Sequence, residues 1–562
     1  MTLSMCSTDP SFALGAPRFS DVRLATLAAS QGSLAAWKEA FAGNASVAEV
    51  LKGVSGNFAV GLLLADRRTV LAVDRFAIDS LCYRFDGDTL HFASRADALT
   101  DESTSLNPQA IFDYLYFHVI PSPRTIFAGV QRLPAGHFAV LDKGQLNIAA
   151  YWVPTFDDHE KRPFATLKHE FRGLLQDAVA RQLDGSKPAC FLSGGTDSST
   201  VAGMISEISD RPAATYSIGF DAEGYDEMAF ARLAAKRFKT EHHEYYVTPD
   251  DLVAGISQVA AHYDQPFGNS SALPSFYCAK LAQEDGATKI LAGDGGDELF
   301  GGNVRYAKQS VFNWYEKLPA GLRHGMLEPL SDIGQVQRTP LVKKAASYVN
   351  QAKVPMPDRM MTYNLLFRLG LENVLTPQLL AQVDAADPVQ QQRALWPQAR
   401  TGNLVNRMLA FDWRYTLADC DLPKVVGTTG LAGLAVGFPM LDDKLLAFSE
   451  RLHPTLKLKG LRLRWFFKEA LRGFLPDEIL TKKKQGFGLP FGIWMTRNPR
   501  LKSLASDSLN SLADRGIVRR EFVESLLSDR LSEHASYFGE MVWIMMMLEQ
   551  WLAAKAPNYR IR

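Results

Sequence analysis

The first 150 residues consist of short apolar runs separated by polar turns. The runs are NFAVGLLLA (57–65), TVLAVDR (69–75), LCYRF (81–85), TLHFAS (89–94) and HFAVLD (137–142). Segments of this length, bounded by turns such as ADRR and FDGD, are typical of successive antiparallel strands. We therefore predict a β-rich first domain over residues 1–155, which ends at a polar, proline-containing stretch (155–163).

After this stretch the apolar pattern predicts strands that alternate with helices. Residues 164–184 have helical spacing, and KPACFL (187–192), TYSIGF (215–220) and KILA (289–292) are typical of buried strands. This alternation predicts a mostly parallel, doubly wound sheet. From about residue 305 the pattern is largely helical, and the apolar stretch 541–548 is expected to form a core helix. A chain of 562 residues exceeds one hydrophobic core, so we place the second domain at 156–562.

The composition excludes several classes of function. The chain has 61 basic and 61 acidic residues, which gives no support for a nucleic-acid or anionic-membrane partner. Its five cysteines are scattered and form no C-x-x-C pair, so a disulfide framework and a zinc site are not expected. With neither a signal peptide nor an apolar run of membrane-spanning length, we expect a cytoplasmic protein.

The segment SGGTDSS (193–199) directly follows a predicted buried strand. Gly194 and Gly195 allow the backbone to approach a phosphate closely, and the amides at the start of the next helix favour an anion there. Asp197 would repel phosphate unless a cation lay between them, which makes it a candidate magnesium ligand. Ser193, Ser198 and Ser199 add hydroxyl donors. The alternative is a simple turn with a helix cap.

A second loop, GDGGDELFGG (293–302), also follows an apolar strand. Its carboxylates are expected at the carboxyl ends of the strands, where open sheets bind ligands. Asp297 is therefore our second candidate magnesium ligand, and Asp294 is expected nearer the reacting centre. A solvated acidic turn is the alternative interpretation.

A third segment, KKKQGFG (482–488), combines lysines with a glycine-containing turn. Lys482 and Lys483 are typical of a solvated basic face. Lys484 leads into the turn, where a fixed positive charge would stabilise an acyl-transfer transition state.

These segments, together with SIGF, GYDE (224–227), EHHE (241–244), DQPF (264–267) and SALP (271–274), occur in the order found in the asparagine synthetase family. The chain after residue 155 resembles that family's ATP-pyrophosphatase domain. The resemblance implies an enzyme that adenylates a carboxylate with ATP and Mg2+, releases pyrophosphate and forms an amide, with Lys484 assisting. It also implies an ATP site and a metal site, with these residues: Leu192, Ser193, Gly194, Gly195, Asp197, Ser198, Ile218 and Gly293 for ATP, and Asp197 and Asp297 for magnesium. His242 and His243 match a family stretch, but we interpret them as structural.

The first domain resembles the family's Ntn-type glutaminase, a β-sandwich, only in part. Residues 56–94 and 120–137 fit it, but an exposed terminal cysteine and the R-G-P-D and N-G-E glutamine-binding loops are absent from this sequence. A start at Met5 would expose Cys6, yet the binding loops would still be missing. We therefore expect a vestigial domain without glutaminase activity.

Loss of the glutaminase is typical of relatives that use an amine, such as β-lactam synthetases and lasso-peptide cyclases. β-Lactam-forming relatives tend to have tyrosine at the position of Asp294, so aspartate counts against them. We expect a carboxylate substrate, either a small molecule or a peptide, and an amine partner; whether the chain forms a homodimer is open. The alternatives are an ammonia- or glutamine-dependent asparagine synthetase and a non-catalytic binding homologue.

Residues 424–442 (KVVGTTGLAGLAVGFPMLD) bear on the choice of substrate. Asparagine synthetases usually carry charged residues at four positions that are here Val426, Gly427, Ala435 and Gly437. A desolvated aspartate needs charged partners. We therefore predict a bulkier, less polar acyl substrate, and the alternative is that this segment only packs at a domain contact.

Overall fold

A computed structural model of the chain describes residues 9–43, 45–316, 319, 321, 323, 348–483 and 488–562. The N-terminal part contains ten strands. They are β1 Phe12–Gly15, β2 Arg18–Phe19, β3 Val54–Ser55, β4 Phe58–Leu63, β5 Thr69–Val73, β6 Cys82–Phe85, β7 Leu90–Ala93, β8 Val130–Arg132, β9 His137–Asp142 and β10 Gln145–Ala150. Its helices are Val22–Gln31, Ser33–Ala42, Val47–Lys52 and Pro108–Phe117, with a 3-10 turn at Ala96–Leu99.

The strands of the N-terminal part form an antiparallel sandwich. A five-stranded sheet with the order β1-β4-β5-β9-β10 faces a three-stranded sheet with the order β7-β6-β8. Successive side chains of a strand point to opposite faces. Ala59 and Leu71 accordingly pack with Tyr83 of the second sheet, whereas Phe58 and Val60 pack on the opposite face in the core that contains Trp37. Burial on both faces explains why these strands are apolar runs rather than alternating ones.

The second part is built on a five-stranded parallel sheet. Its strands are β11 Ala189–Phe191, β12 Ala214–Phe220, β13 Glu241–Val247, β14 Lys289–Leu291 and β15 Ala435–Gly437, in the order β13-β12-β11-β14-β15. Every neighbouring pair is parallel. A short hairpin of β16 Leu458–Lys459 and β17 Arg462–Leu463 lies outside this sheet. The predicted α/β fold, with an Ntn-like sandwich followed by a doubly wound sheet and a helical C-terminal part, is confirmed.

Helices connect and flank the parallel strands. Up to residue 316 they are Phe164–Ala180, Thr196–Ile208, Met228–Phe238, Pro249–His262, Ala272–Glu284, Gly296–Phe300 and Val304–Glu316. The C-terminal α-helices are Leu365–Leu369, Leu371–Val374, Pro377–Leu380, Asp387–Leu395, Leu404–Asp412, Leu422–Leu431, Asp443–Arg451, Pro454–Lys457, Trp465–Ala470, Asp477–Thr481, Phe491–Arg497, Pro499–Asp514, Arg520–Ser525, Leu531–Glu533 and Ala535–Lys555. There are π-helical segments at Trp413–Asp421 and Leu526–Arg530 and 3-10 turns at Asp358–Met361 and Pro439–Leu441.

The longest of these helices, Ala535–Lys555, is a core element. Every residue from Met541 to Leu548 is buried, which confirms the predicted core helix. No helix in the described ranges is both long and apolar enough to cross a membrane. The domain boundary near residue 155 stays a prediction.

Candidate active site

The loop after β11 is shaped to present backbone amides. Gly194 has φ +71, and a Cβ atom there would lie 2.5 Å from the backbone nitrogen of Ala231, so only glycine fits. Gly195 is the N-cap residue of the helix Thr196–Ile208. The free amides at this helix start, together with the helix dipole, make it a site for an anion such as phosphate.

Hydroxyl groups fix the conformation of the same loop. The Oγ atoms of Ser193 and Ser198 lie 3.0 Å apart, and the backbone amide of Ser193 donates to Ser198 Oγ at 3.1 Å. Ser198 is buried, whereas Ser193 is exposed at the mouth of the loop. The buried Leu192 is held to β12 by its amide, which donates to the carbonyl of Tyr216 at 2.8 Å. Ile218 lies two residues further along β12 and is partly buried.

The acidic loop after β14 packs directly against the first loop. A Cβ atom on Gly293 would lie 2.7 Å from the backbone nitrogen of Ser198 and 3.1 Å from Cβ of Asp197. Glycine at this position therefore permits a contact between the two loops that any side chain would block. The two predicted loops thus meet at the carboxyl ends of β11 and β14.

Asp197 and Asp297 converge on one guanidinium group. Nη1 of Arg464 donates to Oδ2 of Asp197 at 2.7 Å and to Oδ1 of Asp297 at 2.8 Å. Nη2 of Arg464 also donates to Oδ1 of Asp197. Because one nitrogen serves both carboxylates, their oxygens lie within two hydrogen-bond lengths of each other.

Arg464 is held rigidly in this position. Its side chain is 4% exposed, and its guanidinium lies 3.9 Å from the ring centre of Phe467. Burial would lower the pKa of Arg464, but the charges of Asp197 and Asp297 outweigh burial and raise the pKa above its ordinary value. Lys468 lies close by, and its pKa is lowered by burial and by the charge of Arg464. The site therefore combines two carboxylates with two cationic side chains.

A second charged cluster surrounds Asp294. Nζ of Lys424 lies 3.5 Å from Oδ1 of Asp294 and 3.3 Å from Oδ1 of Asp421. Burial raises the pKa of Asp294, and the charge of Lys424 offsets only part of this effect. Asn269 donates to Asp421 at 3.4 Å. This cluster offers a carboxyl group and an ammonium group beside the acidic loop.

The lysine segment gives one correction. Lys484 lies outside the described residues, so its role stays a prediction. Lys483 is exposed, as expected for a solvated face. The same interpretation is wrong for Lys482: its side chain is 11% exposed, its Nζ lies 2.5 Å from Oε1 of Glu227, and it packs over the ring of Phe230. The partly buried carboxylate of Glu227 pairs with Lys482, and a run of three lysines does not reveal this partner.

The two histidines of EHHE lie on β13, which β12 separates from β11 and its anion-binding loop. Nδ1 of His242 lies 2.9 Å from Oγ1 of Thr215, and His243 stacks on Tyr216. His243, Glu241 and Asp285 are close enough to share a metal, but Nζ of Lys187 already lies 2.5 Å from Asp285. The described contacts of both histidines are thus to neighbouring side chains of the protein.

The segment 424–442 separates into two kinds of position. Val426 and Gly427 border a cavity between the two parts of the chain, whereas Ala435 is exposed on β15. A Cβ atom on Gly437 would lie 2.6 Å from Oε1 of Gln182, so the space next to this glycine is occupied. A Cβ atom on Gly427 would likewise lie 2.4 Å from Cε1 of Tyr263, so neighbouring side chains fill the space beside both glycines.

The N-terminal part is joined to this segment by ion pairs. Arg75 Nη1 lies 2.5 Å from Asp443 Oδ1, and the backbone amide of Gly56 donates to Asp443 Oδ2 at 2.7 Å. Arg18 reaches Asp442 at 3.2 Å. These contacts hold the loop after β15 to the N-terminal part.

Two family models match the chain in the same two parts. The model described as glutamine amidotransferase domain matches residues 40–152, and the model described as asparagine synthase matches residues 170–553. The fold and these matches define the class as ATP-dependent ligases that form amide bonds. The chain belongs to the asparagine synthase family, whose model covers more than half of its length.

Individual relatives agree with this assignment at modest identity. The chain is 23% identical over 487 residues to asparagine synthetase [glutamine-hydrolyzing] 1 of Bacillus subtilis (strain 168), covering 85% of this chain and 74% of that protein. It is 26% identical over 533 residues to a putative asparagine synthetase [glutamine-hydrolyzing] of Mycobacterium tuberculosis (strain ATCC 25618 / H37Rv), covering 90% and 77%. It is 23% identical over 491 residues to amidase chry2 of Gibberella zeae, covering 78% and 70%.

Proposed function

We propose that this enzyme transfers the adenylyl group of ATP to a carboxylate, releases pyrophosphate, and passes the activated acyl group to an amine. The observation that carries the proposal is the convergence of Asp197 and Asp297, from two separate loops, beside a helix start shaped for an anion. Carboxylates placed next to an anion site need a cation between them and the phosphate groups.

The residues fit a nucleotide with magnesium. Asp197 and Asp297 supply the oxygen ligands that magnesium prefers, and bound magnesium would neutralise charge on the polyphosphate. In this proposal ATP is held by Leu192, Ser193, Gly194, Gly195, Asp197, Ser198, Ile218 and Gly293. Arg464 keeps the two carboxylates together and contributes positive charge on the side where pyrophosphate leaves.

Asp294 and Lys484 are the proposed catalytic residues. Asp294 lies beside the reacting centre, and Lys424 fixes its orientation. Because burial raises the pKa of Asp294, its carboxylate is a better proton acceptor for an incoming ammonium than an exposed aspartate. Lys484 is proposed to stabilise the negative charge that develops in the transition state.

We infer that the enzyme does not hydrolyse glutamine. The first domain retains the sandwich, but residues 9–155 contain neither an R-G-P-D nor an N-G-E sequence for binding glutamine. An amine other than ammonia from glutamine is therefore the proposed acceptor of the acyl group.

We further propose a carboxylate larger than aspartate, such as a side chain within a peptide, as in a lasso-type macrocyclase, or another metabolite. The support is the absence of charge at Val426 and Gly427. Ala435 is exposed and the space beside Gly437 is occupied, so these two positions add no support. Ammonia- or glutamine-dependent asparagine synthesis is the second candidate, because the most similar relatives include proteins named asparagine synthetase. A non-catalytic homologue is disfavoured by the presence of Asp197, Asp297 and Lys484.

The test compares two carboxylates at saturating ammonia. We expect little AMP from free aspartate and more AMP from an N-acetylated peptide amide that carries an aspartate or glutamate side chain. Robust turnover of aspartate would contradict the larger substrate and make the protein an ammonia-dependent asparagine synthetase.

A further inference from the structure

A cavity of about 240 Å³ lies between the N-terminal sandwich and the parallel-sheet part. Residues 77–80 and 94–95 border it from the first part, and residues 262–267 and 418–427 contribute to its wall from the second. The proposed ATP residues do not line it, so it is a separate site. A cavity of this size holds several non-hydrogen atoms of an organic ligand.

One wall of this interdomain cavity is apolar. Tyr263 and Phe267 stack with ring centres 4.4 Å apart, and Ile120 and Val426 extend the same surface. Transfer of an apolar group from water onto such a wall is favourable in proportion to the area covered.

The charged side chains of the lining are neutralised, with one exception. Arg132 lies 3.2 Å from Asp264, Arg95 lies 2.8 Å from Asp97, and Asp419 lies 3.0 Å from Arg414. Asp79 differs, because within the described residues no Lys, Arg or His nitrogen lies within ion-pair distance of its carboxylate.

Asp79 also has few hydrogen-bond donors. Nδ2 of Asn57 donates to its Oδ2 at 2.7 Å. Burial raises the pKa of Asp79 above its ordinary value, and the hydrogen bond from Asn57 opposes this shift. A carboxylate without an ion-pair partner among the described residues therefore lines the apolar-walled cavity.

We propose that this cavity binds a primary ammonium ion with an apolar body, paired with Asp79, and that it captures the amine substrate of the proposed ligase. The second half of the proposal rests on the proposed function. Simple alkylamines are protonated near neutral pH, as the lysine side chain is. The ammonium form present in solution therefore carries the positive charge that would pair with the carboxylate of Asp79.

The position of the cavity connects it to the chemistry. Pro423 lines the cavity, and its neighbour in the chain, Lys424, lies 3.5 Å from Asp294. One helix, Leu422–Leu431, thus borders the ammonium site on one side and the catalytic cluster on another.

The test is calorimetric titration of the whole protein with n-hexylammonium chloride, without ATP or an acyl substrate. We expect saturable 1:1 binding, and binding of n-hexanol about tenfold weaker because it lacks the charge. Asp79→Asn should weaken hexylammonium binding about tenfold or more and leave hexanol binding unchanged. Asp88→Asn, which removes an exposed carboxylate of the same part, is the matched control and should bind like wild type.

A second variant keeps the test decisive if Asp79→Asn is unstable. Val426→Phe reduces the volume of the cavity and should weaken both probes. Equal binding of hexylammonium to wild type and Asp79→Asn, or no saturable binding, would overturn the proposal. These outcomes would leave carboxylate adenylation untouched, since the titration contains no reaction.

The link to the reaction has its own readout. With the amine substrate in hand, Asp79→Asn should raise its KM at least tenfold and leave carboxylate-dependent exchange of pyrophosphate into ATP at the wild-type rate. A dipeptide amide with a free, apolar N-terminal residue would be compared with n-hexylamine as the acceptor. The comparison would distinguish a peptide amine from a small free amine as the source. If Asp79→Asn left the KM of both amines unchanged, the cavity would bind only an unrelated ammonium ion. Capture of the amine substrate would then be refuted.

Discussion

Arg464 joins the two carboxylates on which magnesium binding is proposed to depend. The side chains of Asp197 and Asp297 are 19% and 24% exposed, so neither charge is fully hydrated. Removing one member of a buried ion pair leaves an uncompensated charge, which costs about 3–5 kcal/mol when burial is complete. Partial exposure of both carboxylates lowers this cost here.

We therefore expect Arg464→Ala to lower the free energy of unfolding by about 2–3 kcal/mol. Arg464→Lys should recover part of the loss, because a lysine retains the charge but not the fork of donors. The measurement is the midpoint of urea unfolding, with Arg462→Ala, an exposed arginine of the neighbouring strand, as the control. A wild-type midpoint for Arg464→Ala would contradict this role.

Lys484→Ala is expected to lose amide formation far more than affinity for ATP. A charge directed at the transition state contributes little to ground-state binding, and one such donor is worth about 3–4 kcal/mol of activation free energy. Single-turnover rates and the Kd for a non-hydrolysable ATP analogue separate the two effects. A collapse of the affinity at an unchanged rate would make Lys484 a binding residue.

At the scale of elements, Lys424 connects the start of the helix Leu422–Leu431 to the acidic loop. Its ammonium group pairs with Asp421, three residues earlier in the chain, and with Asp294 of the acidic loop. The charges of Asp421 and Asp294 outweigh burial and raise the pKa of Lys424, so it stays protonated.

A double-mutant cycle tests this connection. Lys424→Met should reduce the rate of acyl transfer about tenfold or more, since it leaves Asp294 without its positive neighbour. Adding Asp294→Asn to Lys424→Met should then reduce the rate of acyl transfer little further, because both substitutions disrupt the same ion pair. Lys444→Met, an exposed lysine on the next helix, is the control. Fully additive losses would show that the two residues act independently.

Strands within longer apolar runs were predictable from the sequence, whereas a polar edge strand and a short strand in a glycine-rich segment were not. β4, β5 and β12 lie within predicted runs because both faces of each are buried. β13 has the sequence EHHEYYV at an edge of its sheet, and β15 has three residues, so neither resembles a buried strand. Their positions are set by pairing with neighbouring strands.

The candidate site was predictable where residues follow a strand in a glycine-rich loop, as Asp197, Asp294 and Asp297 do. Arg464 was missed because the sequence RLR offers two equivalent arginines. Arg464, directly after β17, is buried against Phe467 and the two carboxylates, whereas Arg462 on β17 is exposed. Such a choice depends on tertiary geometry, which no local pattern encodes.

At the scale of the whole molecule, the N-terminal sandwich supports the second part mechanically. Arg75 and the amide of Gly56 hold Asp443, directly after the loop that follows β15.

The chain is accordingly expected to release no glutamate from glutamine. The reason is the absence of both glutamine-binding loop sequences, and the measurement is an enzymatic glutamate assay in the presence of ATP and the true carboxylate. Glutamate release that is lost in Cys6→Ala, in a chain that starts at Met5, would contradict the prediction and restore an amidotransferase function.

The most direct test of the account is carboxylate-dependent exchange of radioactive pyrophosphate into ATP. A panel should include aspartate, glutamate and peptides with acidic side chains, each with magnesium and without an amine. We predict exchange with at least one carboxylate, loss of that exchange on chelation of magnesium, and its loss in both Asp197→Asn and Asp297→Asn. Asp210→Asn, exposed just beyond the helix that contains Asp197, should behave like wild type. Formation of ADP and phosphate in place of exchange, or exchange that persists in either variant, would contradict adenylation at this site.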